Sequence, residues 1–274
     1  MIFRYEESIF HTVGVRACPA LASTCEQSIK ARGRGKPAPL LLLLFLCFLA
    51  SCGQMTGGQT SNSQGNTATL ARPPAAPITY VAIGASDTFG IGTGDPYNEN
   101  WAADLAQKLG SAYHLINLGI PGITVHDALS EELPVALDEH PRLVTIWLAV
   151  NDLANGVDVG SYSHDLATMI RRLQASSPRV TIAMANVPDL TLLPYFSAYN
   201  PSYLESRVHA YNTAIANIAQ QQRVILVNLV NYDLKDFPEY ISNDGLHPST
   251  IGYVRIAELF YNALQASLEL PKHP

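Results

Sequence analysis

Leu143-Val144-Thr145-Ile146-Trp147-Leu148-Ala149-Val150 is a run of eight residues with no charge and a single hydroxyl. A strand of that kind is buried on both faces, as in a parallel sheet covered by helices above and below. Four more segments read as strands: Ile78 to Ile83 (ending at Gly84), Tyr113 to Leu118, Val180 to Ala185 and Val224 to Leu229. Between them lie helical patterns. Asn98 to Leu109 is closed by Gly110, and Thr124 to Asp138 is interrupted near Pro134. Ser161 to Ala175 places Leu166, Ile170 and Leu173 at helical spacing, Tyr203 to Gln221 is a long helix, and Ser249 to Leu268 closes the chain. Alternating strands and helices predict an α/β fold, a three-layer sandwich around a five-stranded parallel sheet with right-handed crossovers.

In such sheets ligands bind at the carboxyl ends of the strands. Ser86 follows the first strand, Gly122 the second, and Asn151 and Asp152 the third, so one edge of the sheet collects them. The loop Asp244-Gly245-Leu246-His247-Pro248-Ser249 supplies an Asp three residues before a His. On a loop bounded by Gly and Pro both side chains can turn the same way. The carboxylate then holds the imidazole in one tautomer and stabilises the imidazolium formed on proton transfer. A serine hydroxyl is a poor nucleophile until a base takes its proton. Ser86, in Gly84-Ala85-Ser86-Asp87-Thr88, is the candidate for that partner.

Four blocks in order, Gly84-Ala85-Ser86-Asp87, Asn117 to Thr124, Ala149-Val150-Asn151-Asp152 and Asp244-Gly245-Leu246-His247, resemble the sequence blocks of the SGNH (GDSL-type) hydrolases. These are esterases and lipases on a flavodoxin-like fold, and the resemblance spans residues 78–268. It implies Ser86 as nucleophile, His247 as general base and Asp244 as its orienter. It also implies an oxyanion hole from the Ser86 backbone, the Gly122 N–H and the Asn151 side-chain amide. A Gly at 122 lets its N–H approach the substrate without an intervening Cβ, and Asn151 is a neutral donor. Asp152 is read as orienting Asn151 or capping the next turn, with no catalytic role. The usual Asp before the nucleophile is Ala85 here, and the usual Gly opening the third block is Ala149. The first change is expected to loosen the turn presenting Ser86, the second to narrow the pocket.

Other chemistries lack support. His114, His126, His140, His164 and His209 have no comparable partner spacing and read as structural or surface residues. Gly90-Ile91-Gly92-Thr93-Gly94 does not complete a dinucleotide-binding pattern, because Asp95 takes the last position. It reads as a flexible loop beside the nucleophile. There is no G-x-S-x-G elbow and no Cys/His cluster of zinc spacing, so no metal or cofactor is expected. After Cys52 the chain has no cysteine, which excludes a disulfide framework there. Beyond residue 52 it also carries 11 Lys+Arg against 20 Asp+Glu, with three lysines (Lys108, Lys235, Lys272). That acidic balance argues against a nucleic-acid partner.

The N-terminal part reads as an export address. Arg32, Arg34 and Lys36 precede the apolar run Leu40 to Ala50, which is too short for a membrane span and suits a signal-peptide core. Leu49-Ala50-Ser51-Cys52 resembles a bacterial lipobox, with Cys52 as the lipidated residue. Residues 1–51 are thus a signal region, with 1–30 reading as upstream of the true start. Residues 52–77 are a lipidated cysteine and a Gly/Ser/Thr/Asn/Gln tether. Residues 78–274 are the hydrolase domain. The expected location is the extracytoplasmic face of a bacterial membrane, held by the lipid.

Phe89, Tyr97 and Trp101 after the first strand, and Leu190, Leu192, Leu193, Tyr195, Phe196, Tyr199 and Tyr203 after the fourth, are expected to wall the pocket. An apolar, aromatic rim suits a small-molecule, lipid or glycan ester. The reading is a surface serine esterase working through an acyl-serine. Its alternatives are a carbohydrate O-deacetylase of the same fold and a non-catalytic surface binding lipoprotein.

Overall fold

A computed structural model describes residues 77–268. The signal region, Cys52 and the tether lie outside the described residues. The order is β1 (Ile78–Gly84), α1 (Ser86–Phe89), α2 (Trp101–Leu109), β2 (Tyr113–Asn117), α3 (Val125–Glu131), α4 (Leu133–Asp138) and β3 (Leu143–Trp147). Then come α5 (Val150–Ala154), α6 (Val159–Ser176), β4 (Thr181–Ala185), α7 (Pro201–Gln222), β5 (Ile225–Val227) and α8 (Thr250–Leu268). The five strands form one parallel sheet in the order β2-β1-β3-β4-β5. Every residue of β3 is buried, as its apolar run requires of the central strand. The helices sort into two packing groups, α2 with α8 and α3, α4, α6 and α7 together, so the sheet is the middle of three layers.

Local chemistry sets the helix starts. Asn100 caps α2 by accepting the Ala103 N–H at 2.9 Å. Thr124 and Asp127 form a capping box on α3, Asp158 caps α6 and Asn200 caps α7. The helix expected over 124–138 divides at Glu132, and Pro134 sits in the first turn of α4, where a missing N–H costs nothing. The apolar run beginning at Leu143 leaves the sheet after Trp147: Leu148 and Ala149 are buried connectors and Val150 starts α5. Burial continues there without strand pairing, so hydrophobicity alone overstates the strand.

Trp101 departs from its expected place. It is fully buried and stacks on Phe260 of α8 with ring centroids 4.3 Å apart, joining α2 to α8 rather than walling a pocket. An aromatic pair of this kind adds roughly 0.5–1.5 kcal/mol to the gain from burial.

Candidate active site

The backbone turns sharply as β1 ends. The Ala85 carbonyl accepts the N–H groups of Thr88 and Phe89, both at 3.0 Å, which opens α1 with Ser86 as its first residue. That leaves the Ser86 N–H among the orphan donors of a helix start. The turn forms with Ala at 85. Asn117, at the end of β2, ties this turn to the next one: its amide donates to the Thr88 carbonyl at 2.7 Å and its oxygen accepts the Gly119 N–H at 3.0 Å.

The loop from Ser242 to Pro248 is folded around one carboxylate. Asp244 Oδ1 accepts the Ser242 hydroxyl at 2.8 Å, the Leu246 N–H at 2.8 Å and the His247 N–H at 2.9 Å. Its Oδ2 lies 2.6 Å from His247 Nδ1. Burial alone would raise the Asp244 pKa, but the hydrogen bonds from His247, Leu246 and Ser242 outweigh it and hold the group at about 2. Asp244 is therefore ionised and accepts only, so Nδ1 carries the proton. His247 Nε2 is left as an acceptor, and Ser86 Oγ donates to it at 2.9 Å. Residues 161 positions apart thus meet in one chain of hydrogen bonds. Gly92 backs the imidazole: its φ is +103°, and a Cβ there would strike the Pro248 carbonyl and crowd the His247 Cβ. The glycine loop therefore serves as a close-fitting support for the histidine.

Asn151, at the start of α5, lines the same cleft as Ser86 and His247, together with Ala149. One of its two amide hydrogens goes to the Ile123 carbonyl at 2.9 Å, leaving the second available. Gly122 sits on the adjoining turn with φ +83°, coupled to Asn151 through that carbonyl, and is not itself a cleft wall. Neither Gly122 nor Ser86 spends its N–H on another described residue. Asp152 does not orient Asn151. Both its oxygens accept the Val125 N–H, at 3.2 Å each, so it caps α3 across 27 residues rather than its own next turn. Burial lifts its pKa to about 6. His126 is a surface residue as expected, yet it has a partner: its Nδ1 lies 2.9 Å from Asp165 Oδ2.

Two small hollows flank His247. One of ≈ 30 Å³ is lined by Trp147, Leu190, Leu193, Tyr232, Tyr240 and Leu246, among others. The other, of ≈ 20 Å³, lies over Ser86. Of the expected rim, Leu190, Leu193 and Phe196 are buried, whereas Tyr195, Tyr199 and Tyr203 are 52%, 43% and 60% exposed. Tyr195 is joined to the catalytic loop through its N–H, which donates to the Gly245 carbonyl at 3.0 Å.

Two carboxyl groups near the site were not among the sequence candidates. Asp87 lines both hollows beside His247. Burial raises its pKa, with His247 opposing and Asp244 adding to the rise. Its adjacency to Ser86 was the available signal. Glu132 is 1% exposed and its Oε1 accepts the Gly84 N–H at 3.0 Å. No sequence pattern separates it from the neighbouring exposed Glu131.

The chain is similar to known proteins over most of its described length. The model of the GDSL-like Lipase/Acylhydrolase family matches residues 82–255. Esterase TesA of Pseudomonas aeruginosa is 25% identical over 197 residues, covering 71% of this chain and 91% of its own. An arylesterase of Vibrio mimicus is 28% identical over 191 residues, 68% of this chain and 86% of its own. Among solved structures, a family 3 carbohydrate esterase of Clostridium thermocellum superposes with a TM-score of 0.57 at 24% identity, covering 70% of this chain and 97% of its own.

Proposed function

This chain belongs to the GDSL-like lipase/acylhydrolase family and is a serine ester hydrolase; from that premise we propose that it cleaves short-chain carboxylic esters through an acyl-serine formed on Ser86. The observation that carries the reading is the pair of contacts at His247: Nε2 to Ser86 Oγ at 2.9 Å and Nδ1 to Asp244 Oδ2 at 2.6 Å. In the first half-reaction the Ser86 proton passes to Nε2 while Oγ attacks the ester carbonyl carbon. Asp244 stabilises the imidazolium that results. The negative charge on the former carbonyl oxygen goes to the Ser86 N–H and the free amide hydrogen of Asn151, both at the cleft, with the Gly122 N–H on the adjoining turn as the third donor that the family resemblance implies. Each such donor is worth about 2.7–4 kcal/mol in transition-state stabilisation. His247 then hands its proton to the departing alkoxide. Water attacks the acyl-serine with His247 again as base, and carboxylic acid and free Ser86 result.

The small hollows support short acyl groups. Neither hollow beside His247 extends into a long apolar channel, which favours a short acyl group over a long chain. The exposed Tyr195, tied to the catalytic loop, and the exposed Tyr199 and Tyr203 further along the same segment favour a second reading as a carbohydrate O-deacetylase, since tyrosine faces stack on sugar rings. A fluorophosphonate probe tests the enzyme reading: Ser86 takes the label and Ser86→Ala does not, and folded wild-type protein that takes none sinks it. A series of p-nitrophenyl esters tests the acyl preference. Turnover should fall steeply beyond butyrate; a maximum at eight carbons or more contradicts it. Acetate release from O-acetylated xylan oligomers tests the sugar reading, and none from them removes it.

Export and lipid anchoring through Cys52 complete the proposal. They are supported by the basic flank, the apolar run Leu40 to Ala50 and the small residues before the cysteine. Cys52→Ser should move the protein from the membrane fraction to the soluble one with turnover intact. Wild-type protein found soluble would contradict the anchor.

A further inference from the structure

The resemblance to the hydrolase family calls for an Asp immediately before the nucleophile, and Ala85 stands there. The turn is nevertheless formed, and a carboxyl group is present beneath it from another source. Gly84 is the last residue of β1. Its carbonyl accepts the Ile120 N–H at 3.0 Å, so its own N–H points to the β2 side as well. The β1–β2 register ends at Ala82 opposite Asn117, where β2 itself ends. The Gly84 N–H is therefore a buried donor without a strand partner, which is costly if left unmet. Glu132 meets it. The residue closes α3 and precedes α4, and its backbone groups are spent on the Ala128 carbonyl and the Ala136 N–H. Its side chain passes into the interior, where Oε1 accepts from Gly84 N at 3.0 Å.

The other side of Gly84 is closed by Thr88. Its Oγ1 is so near that a Cβ on residue 84 would collide with it, and the Trp147 carbonyl lies 2.9 Å from the same point. The strand end two residues before Ser86 is thus gripped between Glu132 and α1. Among the described residues Glu132 Oε2 and Thr88 Oγ1 have no hydrogen-bond partner. The pocket beside Gly84 is thus polar in an otherwise apolar interior. Burial raises the Glu132 pKa to about 8 against the Gly84 hydrogen bond, and no neighbouring charge enters. At neutral pH the group is the uncharged acid, which the interior tolerates far better than a carboxylate.

We propose that Glu132 is the positioning residue for Ser86: from the α3–α4 junction, its buried carboxyl holds the Gly84 N–H and so fixes the nucleophile turn that Ala85 cannot brace with a side chain. The proposal rests on Ser86 being the nucleophile. Glu132 touches neither substrate nor His247; it acts through the backbone between Gly84 and Ser86. A nucleophile displaced by a fraction of an ångström from its hydrogen bond to His247 loses rate without losing substrate affinity.

The test compares Glu132→Gln, which keeps an acceptor oxygen, with Glu132→Leu, which fills the space without one. kcat and KM are measured on p-nitrophenyl acetate, and the rate of fluorophosphonate labelling at Ser86 is measured alongside, both well below each variant's melting temperature. Glu132→Leu should lose tenfold or more in kcat and in labelling rate with KM within twofold. Glu132→Gln should stay within threefold of wild type in both. A merely structural glutamate would change the melting temperature and leave kcat of the folded protein alone. Folded Glu132→Leu with kcat and labelling within twofold of wild type overturns the proposal, and so does Glu132→Gln losing tenfold. Where Glu132→Leu does not fold, Glu132→Met is read in its place by the same criteria. Wild-type protein that takes no label at Ser86 removes the nucleophile itself, and the positioning role falls with it; labelled wild type with indifferent variants removes the positioning role alone.

Discussion

Replacing Asp244 by Asn changes one oxygen to an amide nitrogen, and the loop decides which one. Oδ1 receives the N–H groups of Leu246 and His247 and the Ser242 hydroxyl, whereas Oδ2 faces His247 Nδ1 alone. An Asn with its NH2 on the Oδ1 side would point donors at two backbone donors, at a cost of about 1–3 kcal/mol for each lost bond. Its NH2 group must therefore face Nδ1. A donor there needs an acceptor, so Nδ1 gives up its proton and Nε2 takes it. Nε2–H then donates to Ser86 Oγ instead of accepting its proton, and the base is gone. Loss of the productive tautomer is worth about 10⁴-fold in kcat, or about 5.4 kcal/mol. The melting temperature should change little, because all three bonds to Oδ1 survive. The assay is kcat for p-nitrophenyl acetate between pH 6 and 9, with thermal melts by circular dichroism. An Asp244→Asn protein keeping a tenth or more of wild-type kcat would refute the tautomer argument. One that loses both activity and fold would show that the carboxylate's charge, rather than its hydrogen-bond geometry, holds the loop.

Three further outcomes follow from the same geometry. Asn151→Ala should lower kcat by about 10²–10³-fold with KM nearly unchanged, the signature of a donor used only in the transition state; a rise in KM at constant kcat would assign Asn151 to substrate binding instead. Asp152, 1% exposed, has a pKa raised from 3.8 to about 6, so the folded chain keeps a proton that the unfolded chain has lost in that window. Its contribution is present below about pH 4 and is lost as pH rises through 6, by roughly 3 kcal/mol in all. In urea melts from pH 4 to 7, stability should fall more steeply in wild type than in Asp152→Asn, the difference being Asp152's share beside that of Glu132; equal slopes would exclude the effect. Gly84→Ala forces a Cβ onto Thr88 Oγ1 and the Trp147 carbonyl and should cost about 1–3 kcal/mol or more; wild-type stability in that variant would mean that α1 moves aside freely.

The sheet was legible because its signal is local. Continuous apolar runs such as Val144 to Trp147 have one stable destination, a strand covered on both faces, and helical spacing at Leu166, Ile170 and Leu173 has another. The Asp244–His247 pair was legible for a related reason: three residues of loop cannot separate two side chains that a single carboxylate ties together. Trp101 was misplaced because an aromatic residue after a loop reads equally well as pocket wall or as core, and only the presence of Phe260 on α8 separates the two. Asp152 was placed on the right edge but given the wrong partner, since Val125 lies 27 residues away.

What the sequence determined by itself is the fold class, the edge on which the chemistry lies and the residue types that carry it, because each follows from periodicity or short-range spacing. Beyond the Ser86–His247 pair that the family resemblance implied, what only the tertiary structure decided is which distant groups meet: Asp152 with Val125, and above all Glu132 with Gly84. A buried hydrogen bond is made wherever packing brings a donor and an acceptor together. The sequence carries no local mark of it, so a buried glutamate and the exposed one beside it are written with the same letter.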